Sequence, residues 1–349
     1  MAAGVGAEGG VTLAPFPWFG GKSRAAPLAW AAMGAEVDNY VEPFAGSLAV
    51  LLGRPGTNIG TETVNDADGL LVNAWRAMRA DPWGVAEHAD WPVSECDLTA
   101  RHLRLVGERA ALTERLQVDA DFYDARLAGW WVWGACCWIG SGWCSGKGPW
   151  RTDGERWVNG NAGRGIHRQL THIGDAGQGI HRQLPHIGDA GGDASTATSR
   201  RAALVDWFGA LSARLERVRI CCGDWRRVLT DSVTIRHGTT GVLLDPPYPD
   251  GWDTEDAYSA GTAGADTWHE AAAWAAEHGA DRRLRIVLCG YAGTWTAPPG
   301  WREVPWVARK GYAADAGENS ARERLWLSPG CLDVAENRGV QVGMFGGAP

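Results

Sequence analysis

Residues 241–248 read GVLLDPPY. The apolar run GVLL predicts a buried strand, so Asp245 stands at the carboxyl end of a strand, where open α/β sheets bind their ligands. Pro246 and Pro247 lack a backbone N–H and have a fixed φ, so the loop is rigid and its carbonyl groups are free to accept hydrogen bonds. The segment therefore suits a planar amine, whose hydrogens Asp245 and the Pro246 carbonyl accept while Tyr248 stacks on its ring. The alternative is a tight turn with Tyr248 as a lid.

Other segments predict the sheet to which this strand belongs. Residues 38–52 (DNYVEPFAGSLAVLL) predict a strand, a glycine turn and a helix; residues 58–66 predict a second strand, and residues 70–79 a helix with one apolar face. Further short apolar strands are predicted at 218–222, 284–289 and 323–327, and helical patterns occur at 201–217 and 266–278. Strands that alternate with helices indicate an α/β fold with a parallel sheet.

A long segment of different composition separates the two groups of strands. We therefore expect a discontinuous domain formed by residues 11–85 and 200–332, interrupted by an inserted domain of residues 86–199, with flexible termini at 1–10 and 333–349. The insertion is helical and tryptophan-rich up to residue 150 and rich in glycine, histidine and arginine beyond it.

The insertion contains a tandem repeat, GIHRQLTHIGDA at 165–176 and GIHRQLPHIGDA at 179–190. Two copies are too few to stack as a solenoid. The repeat is either a duplicated surface loop or a segment in which Arg168 and Arg182 follow a phosphate backbone. Its four histidines have no carboxylate or cysteine at a recognisable ligand spacing, so no metal site is predicted.

The composition excludes several classes of protein. Of the 349 residues, 45% are hydrophobic and 21% are charged, which provides for a large core and argues against a disordered chain. The eight cysteines include no C-x-x-C pair, so reduced thiols and a cytoplasmic location are expected. No basic residue precedes Lys22, which argues against a signal peptide. Residues 127–146 carry no charge, but membrane helices keep tryptophan at their interfaces, so the five tryptophans here predict buried packing and not a membrane span.

Charge is distributed unevenly along the chain. The net charge is −8, but residues 126–227 contain 14 Lys/Arg and 8 Asp/Glu, a local charge of +6 that leaves −14 for the remainder. This asymmetry fits a nucleic-acid-binding face on an acidic body. It also fits an ordinary mixed surface.

A second motif lies near the N-terminus, in residues 18–23 (WFGGKS). Gly-Lys-Ser suggests a phosphate-binding P-loop, but that motif requires a glycine at position 16, which is Phe16, and a preceding strand, which PFPWF does not predict. The remaining interpretation is a turn at Gly20 and Gly21 that presents Lys22 beside Trp18, an arrangement suited to a carboxylate and a nearby ring.

Acidic and aromatic side chains follow three other predicted strands. Glu42 and Phe44 follow the first strand, and Gly46 in the same turn would let a ligand approach the backbone closely. Asp66 ends the second strand, the position whose acid binds ribose hydroxyls in nucleotide-binding α/β folds. Asp224 and Trp225 follow the strand at 218–222 and supply another acid and an aromatic ring that could flank an adenine. Their shared location at strand ends predicts a nucleoside-type ligand.

Taken in order, the motifs W-x-G-G-K (18–22), E-P-F-x-G (42–46), N-D (65–66), G-D-W (223–225) and D-P-P-Y (245–248) resemble those of the Dam-like, D12-class DNA adenine-N6 methyltransferases of prokaryotes and phages. The resemblance covers residues 11–85 and 215–330. It implies a Rossmann-like methyltransferase sheet with a target-recognition domain in the insertion. The family pattern F-x-G-x-G has its last glycine replaced here by Leu48.

The resemblance implies S-adenosylmethionine as the cofactor, in contact with Trp18, Lys22, Asp66 and Asp245. With the neighbouring strand-end residues, the expected cofactor site comprises Trp18, Gly20, Gly21, Lys22, Glu42, Phe44, Gly46, Asp66, Asp224, Trp225 and Asp245. The expected catalytic residues are Asp245, Pro246, Pro247 and Tyr248, and the expected DNA-binding residues are Lys147, Arg168 and Arg182.

The implied reaction transfers a methyl group to adenine N6 in double-stranded DNA. The base must be flipped out of the duplex to reach the pocket, and positioning carries most of the rate without a metal or a covalent intermediate. Cytosine-N4 methylation is an alternative, because the same tetrad can hold that amine, and RNA is an alternative target. A catalytically silent module that binds cofactor and DNA is a third alternative, which Leu48 and the net charge favour and the intact tetrad opposes. The sequence reveals neither a DNA recognition site nor a partner nuclease.

Overall fold

The computed structural model describes residues 13–18, 20–56, 60–138, 143–144, 150–152, 157–159, 194–248, 264–307 and 321–334. Seven strands form a mixed sheet: β1 Asn39–Glu42, β2 Thr61–Asp66, β5 Val218–Cys222, β6 Thr240–Leu244, β7 Leu284–Tyr291, β8 Arg302–Pro305 and β9 Glu323–Leu327. A separate antiparallel hairpin consists of β3 Trp150–Thr152 and β4 Trp157–Asn159. The eight α-helices of the described residues are α1 Ala26–Met33, α2 Ala49–Leu52, α3 Gly69–Ala80, α4 Pro82–Ala89, α5 Glu95–Val118, α6 Ala125–Cys137, α7 Ala194–Leu215 and α8 Gly264–His278.

The strand order in the sheet is β5-β2-β1-β6-β7-β9-β8. The first five of these strands are parallel, and β9 is antiparallel to both of its neighbours. From β1 the chain builds outward to β2 and β5, and it then returns to the other side of β1 to build β6 and β7. The strand order therefore reverses between β1 and β6, which is where open α/β sheets form a ligand crevice at the carboxyl ends of their strands.

The predicted α/β fold is confirmed, and its order of strands is compatible with a Rossmann-like sheet. The strands expected at 218–222 and 323–327 have these bounds in the structure, and those expected at 58–66, 241–244 and 284–289 lie within a few residues of β2, β6 and β7. The helix expected at 70–79 is α3, which begins at a cap: the carboxylate of Asp68 accepts a hydrogen bond from the backbone N–H of Leu70. Strand β8 and the hairpin β3–β4 were not predicted.

The tryptophan-rich segment packs into the interior. On α6, Trp131 and Trp133 are buried, and Phe16 packs edge-on against Trp131 with 4.9 Å between ring centroids. The predicted aromatic packing is thus confirmed for these residues. In the part of the chain that the structure describes, no helix combines the length and hydrophobicity needed to cross a bilayer.

Two of the predicted domain boundaries fall inside helices. Helix α4 crosses the boundary between residues 85 and 86, and α7 crosses that between 199 and 200. Helix α6 also packs against α3 and α4 and shares the hydrophobic core of the sheet. The division into two domains stays a prediction. The tandem repeat, with Arg168 and Arg182, lies outside the described residues, as do Lys147 and most of the two termini.

Candidate functional site

The predicted site residues are distributed over adjacent strand ends. Glu42 ends β1, Asp66 ends β2, and Asp245 directly follows β6. Because these strands are parallel neighbours or share a neighbour in the sheet, their carboxyl ends meet at one edge. Pro246 is buried and Pro247 half-buried beyond Asp245. The three acids therefore follow strand ends that lie at the same edge of the sheet.

A buried ion pair connects the N-terminal turn to the end of β6. Lys22 Nζ lies 2.9 Å from Oδ1 of Asp245 and donates a second hydrogen bond of 2.9 Å to the Gly20 carbonyl. Gly20 has a φ of 72°, a left-handed conformation that glycine adopts without strain. Burial alone would lower the pKa of Lys22, but the carboxylates of Asp245 and Glu323 outweigh it and hold that pKa above its usual value. Lys22 is therefore a permanent cation inside the site.

Tyr248 is held by polar contacts at its hydroxyl and by ring contacts along its body. The hydroxyl lies 3.1 Å from Oε2 of Glu323 and 3.3 Å from Oδ1 of Asp245. The ring packs edge-on against Tyr291 at 4.7 Å between centroids, and Lys22 Nζ lies 5.0 Å from its centroid. Only 8% of Tyr248 is exposed. Its predicted stacking on a substrate ring stays a prediction.

Four residues of this cluster were not predicted from the sequence: Glu323, Tyr291, Cys289 and Trp306. Glu323 begins β9 and is paired with Tyr291 of β7, so the register of two antiparallel strands places it beside Tyr248. Burial raises the pKa of Glu323 and, more strongly, that of the Cys289 thiol, which also donates to the Asp245 carboxylate. The ring of Trp306 lies 5.9 Å from Lys22 Nζ, and its buried indole N–H has no hydrogen-bond partner among the described residues.

One signal could have identified Glu323. In the strand ERLWL, Glu323 alternates in phase with Leu325 and Leu327, so it occupies the face of the apolar residues. A carboxyl group at such a position is unusual unless it is paired. No comparable signal exists for Trp306, because tryptophans are frequent throughout the chain.

Glu42 ends β1 beside the point where the strand order reverses, and its side chain is buried. The Tyr40 hydroxyl donates a 3.0 Å hydrogen bond to its Oε2, and both side chains are buried. Burial raises the pKa of Glu42 to about 8, and the hydrogen bond from Tyr40 offsets only part of this rise. Glu42 is thus a carboxyl group that holds its proton near neutral pH.

Asp66 organises the turn that follows β1. Its Oδ2 accepts a hydrogen bond of 3.1 Å from the backbone N–H of Gly46, and its Oδ1 accepts one of 2.9 Å from that of Asp68. Burial raises the pKa of Asp66 to about 6, although these two backbone bonds oppose the shift. Each carboxylate oxygen has two lone pairs, so Asp66 retains acceptor capacity for a ligand hydroxyl.

The close approach predicted at Gly46 is made by Trp18. Gly46 has a φ of 46°, and a Cβ built on it would lie 2.6 Å from Nε1 of the Trp18 indole. A side chain at this position would therefore displace Trp18. The packing of Trp18 is enough to explain why residue 46 is a glycine, without a ligand. The same turn contains Leu48, which is fully buried and adopts φ 55° and ψ 24°. Leu48 thus occupies the left-handed conformation in which glycine is usually found.

Phe44 and Trp225 form an aromatic pair at the edge of the crevice. Their ring centroids are 5.6 Å apart and the rings are tilted by 36°. The neighbouring acid, Asp224, caps the 3₁₀ turn that follows β5: its Oδ1 accepts from the backbone N–H of Arg226, and its Oδ2 pairs with the guanidinium of the same residue at 3.0 Å. About half of the Asp224 side chain is exposed. Asp224 therefore lies outside the buried cluster formed by Lys22, Asp245 and Tyr248.

No protein-family model matches the chain, and no curated protein matches its sequence. Within the described ranges, no three side chains of histidine, cysteine, aspartate or glutamate converge in a way that could hold a metal ion.

Proposed function

We propose that this protein is a DNA methyltransferase that transfers a methyl group from S-adenosylmethionine to adenine N6. The observation that carries the proposal is the position of Asp245. It follows β6 at the point where the strand order reverses, it continues into Pro246-Pro247-Tyr248, and its carboxylate is paired with Lys22 of the N-terminal glycine turn. Two motifs that are far apart in the sequence thereby form a single polar cluster at the ligand-binding edge of the sheet.

The residues at this edge fit the cofactor. The aromatic pair of Phe44 and Trp225 offers an apolar surface for an adenine ring, and Asp66 retains acceptor capacity for ribose hydroxyls. Of the carboxyl groups at this edge, Asp66 is the one that is ionised near neutral pH without a paired cation among the described residues, so it can also face a cationic group of the cofactor. When bound, S-adenosylmethionine would supply an electrophilic methyl group.

Lone pairs determine what Asp245 can offer a substrate. A carboxylate provides about four acceptor sites. Among the described residues, Lys22, Tyr248 and Cys289 supply up to three donors to Asp245, which leaves one of its four acceptor sites for an exocyclic amine. With the Pro246 carbonyl as the second acceptor, both hydrogens of the amine would be held and its lone pair directed at the methyl carbon. Positioning of this kind contributes much of the rate of a two-substrate reaction.

The proposal that the partner is double-stranded DNA rests on the family resemblance and on the charge distribution. Residues 126–227 carry a net charge of +6 within a chain of net charge −8, which suits contact with phosphates. A base inside a duplex cannot reach a pocket at the edge of the sheet, so the target nucleotide must flip out, at a cost of a few kcal/mol.

Incubation with labelled S-adenosylmethionine and duplex DNA, followed by digestion to nucleosides, tests the proposal. The expected product is labelled N6-methyladenine. Label in N4-methylcytosine would move the target to cytosine, and label only with RNA would move it to RNA. Absence of label from every nucleic acid would overturn the proposed activity and favour a silent binding module.

Two variants make the assay specific to the site. Asp245→Asn keeps the shape of the side chain and removes its charge, and it should lower turnover at least about 100-fold, within the range of a positioned acid or base. The matched control is Glu303→Gln, which neutralises a half-exposed carboxylate that pairs with Arg324 on the sheet edge. The control should retain wild-type turnover.

A further inference from the structure

Three oxygen atoms form a chain that leads from Asp245 into the protein interior. Oδ1 of Asp245, the hydroxyl of Tyr248 and Oε2 of Glu323 follow one another at 3.3 and 3.1 Å. A tyrosine hydroxyl carries a single hydrogen, so it can donate fully to only one of the two carboxyl groups. The other contact is favourable only when that carboxyl group carries a proton. These three oxygen atoms can therefore hold one proton more than they hold in the resting state.

The charges around the chain set the resting arrangement. Lys22 Nζ lies 2.9 Å from Oδ1 of Asp245, so the Asp245 end of the chain has a permanent cation beside it. The Tyr248 hydroxyl lies 3.1 Å from Glu323 and 3.3 Å from Asp245, which favours donation of its hydrogen to Glu323. Glu323 is buried, and burial favours the neutral form of its carboxyl group. An additional proton is thus best held on Glu323, away from the ion pair.

We infer that Asp245, Tyr248 and Glu323 form a proton relay that removes the proton released by the methylated amine. The inference rests on the proposed function. When the amine nitrogen forms its bond to the methyl carbon, the carbon–sulfur bond breaks and its electron pair stays on sulfur. The nitrogen is left with one proton too many, and the Asp245 carboxylate accepts it. Asp245 then donates this proton to the Tyr248 oxygen, while the original Tyr248 hydrogen moves to Glu323.

The relay restores the ion pair of Asp245 and Lys22, and loss of the proton from Glu323 completes the return to the starting charges. Asp245 is again a carboxylate paired with Lys22, and Glu323 holds one proton in a neutral carboxyl group. Glu323 borders Tyr291, whose ring lies 5.1 Å from the guanidinium of the half-buried Arg322. Release of the proton on this side restores the ionised form. Glu323 and Tyr248 thereby assist the reaction through Asp245.

Two variants interrupt the relay at different points. Glu323→Gln removes the terminal acceptor, and Tyr248→Phe removes the bridging hydroxyl while it keeps the ring that contacts Tyr291 and Lys22. The measurement is the single-turnover rate of methyl transfer between pH 5.5 and 9, which separates chemistry from product release. Calorimetry with S-adenosylhomocysteine verifies that each variant is folded and binds. Glu303→Gln is the control.

The single-turnover rate of methyl transfer by the wild-type protein should fall as the pH is lowered, because a protonated Glu323 cannot accept the relayed proton. Each variant should be about 100 times slower, at the low end of the range for assistance by proton transfer, and should lack this acid limb. The double variant should be no slower than the slower single variant, because both changes interrupt the same relay. A role in packing alone would not remove the acid limb.

The inference is overturned if Tyr248→Phe and Glu323→Gln methylate at the wild-type rate with the wild-type pH profile; the proposed function would survive that result. If Glu323→Gln does not fold, Tyr248→Phe decides alone. If wild-type protein methylates no nucleic acid at any pH, the proposed function itself fails. Infrared titration of the cofactor-free protein gives an independent reading: Glu323→Gln should lose one of the protonated-carboxyl bands that the wild-type protein shows above the ordinary carboxylate range, while the band of Glu42 remains.

Discussion

The ammonium group of Lys22 and Oδ1 of Asp245 lie 2.9 Å apart, so a turn near the start of the chain and the loop after β6 are joined by a buried ion pair. Neither side chain can be neutralised without leaving a charge inside the protein. Loss of either partner would therefore destabilise the folded protein as well as alter the candidate site.

Lys22→Met should destabilise the protein by about 3 kcal/mol at neutral pH, because it leaves buried carboxyl groups without their cation. Without Lys22, Glu323 binds its proton more tightly in the folded state than in the unfolded state. Stability then falls as pH rises, so the loss should be larger at pH 8 than at pH 5 in chemical denaturation. Arg283→Met, which breaks an exposed pair with Asp281, should change stability by less than about 1 kcal/mol. Equal losses in the two variants would contradict a buried pair.

Glu42→Gln should flatten the pH dependence of stability. The folded pKa of Glu42 is about 8, raised from 4.5, so the folded state keeps a proton that the unfolded state releases between these values. Wild-type stability therefore declines from pH 5 to pH 8. The glutamine variant resembles the protonated form and should match wild type at pH 5 and exceed it at pH 8, by about 1.4 kcal/mol for each pKa unit. Parallel profiles of the two proteins would show that Glu42 is ionised at neutral pH.

At position 48, glycine should be better tolerated than alanine. Both changes remove a fully buried side chain, at a cost of about 2–5 kcal/mol. Leu48→Ala retains the cost of a left-handed φ for a residue with a Cβ, whereas Leu48→Gly removes it. Denaturant unfolding should therefore rank Leu48→Gly about 1 kcal/mol above Leu48→Ala. The reverse ranking would mean that the left-handed turn is absent.

Asp66→Asn should weaken the binding of S-adenosylhomocysteine about 10- to 100-fold, because hydrogen bonds to a charged acceptor contribute about 1.5–3 kcal/mol. Asparagine keeps one oxygen acceptor for the turn that contains Gly46, so the variant should remain folded. Isothermal calorimetry measures the change. Asp224→Asn alters a half-exposed carboxylate that pairs with Arg226 and is expected to have the smaller effect. If the two variants bind equally well, Asp66 does not contact the nucleoside.

The double variant Arg168→Ala with Arg182→Ala should weaken binding to all duplex sequences alike. Loops rich in glycine can follow a phosphate backbone but hold side chains too loosely to read base edges. The dependence of affinity on salt should decrease by about two units of slope, since each phosphate contact contributes about 0.9. An unchanged slope would identify the repeat as a duplicated surface loop.

Sequence patterns predicted β6 and β7 because each contains a continuous apolar run bordered by turns, and a strand buried on both faces has that composition. Strand β8 escaped prediction because it lies at the edge of the sheet, alternates between half-buried and exposed residues, and ends in Pro305. Proline within such a run argues against a strand in the sequence alone.

For the site, the sequence predicted the residues that directly follow parallel strands, because topology brings all such positions to one edge. It missed Glu323, which reaches the same place from an antiparallel strand by pairing with Tyr291. It also assigned the space above Gly46 to a ligand, whereas Trp18 fills it. These differences depend on strand register and on packing between distant segments, which local patterns do not contain.

Strands β1 and β6 are neighbours in the sheet but are far apart in the chain, so the ribosome synthesises β1 well before β6. Roughly 200 residues separate these strands, so at about 5–20 residues per second a ribosome needs about 10–40 s to supply the second after the first. During that interval β1 has β2 available on one side and an open edge on the other, although all four of its residues are buried in the finished protein. An unpaired strand edge of this kind is prone to aggregate. Nascent chains that stall between β2 and β6 would therefore keep this edge of β1 open and be prone to aggregate.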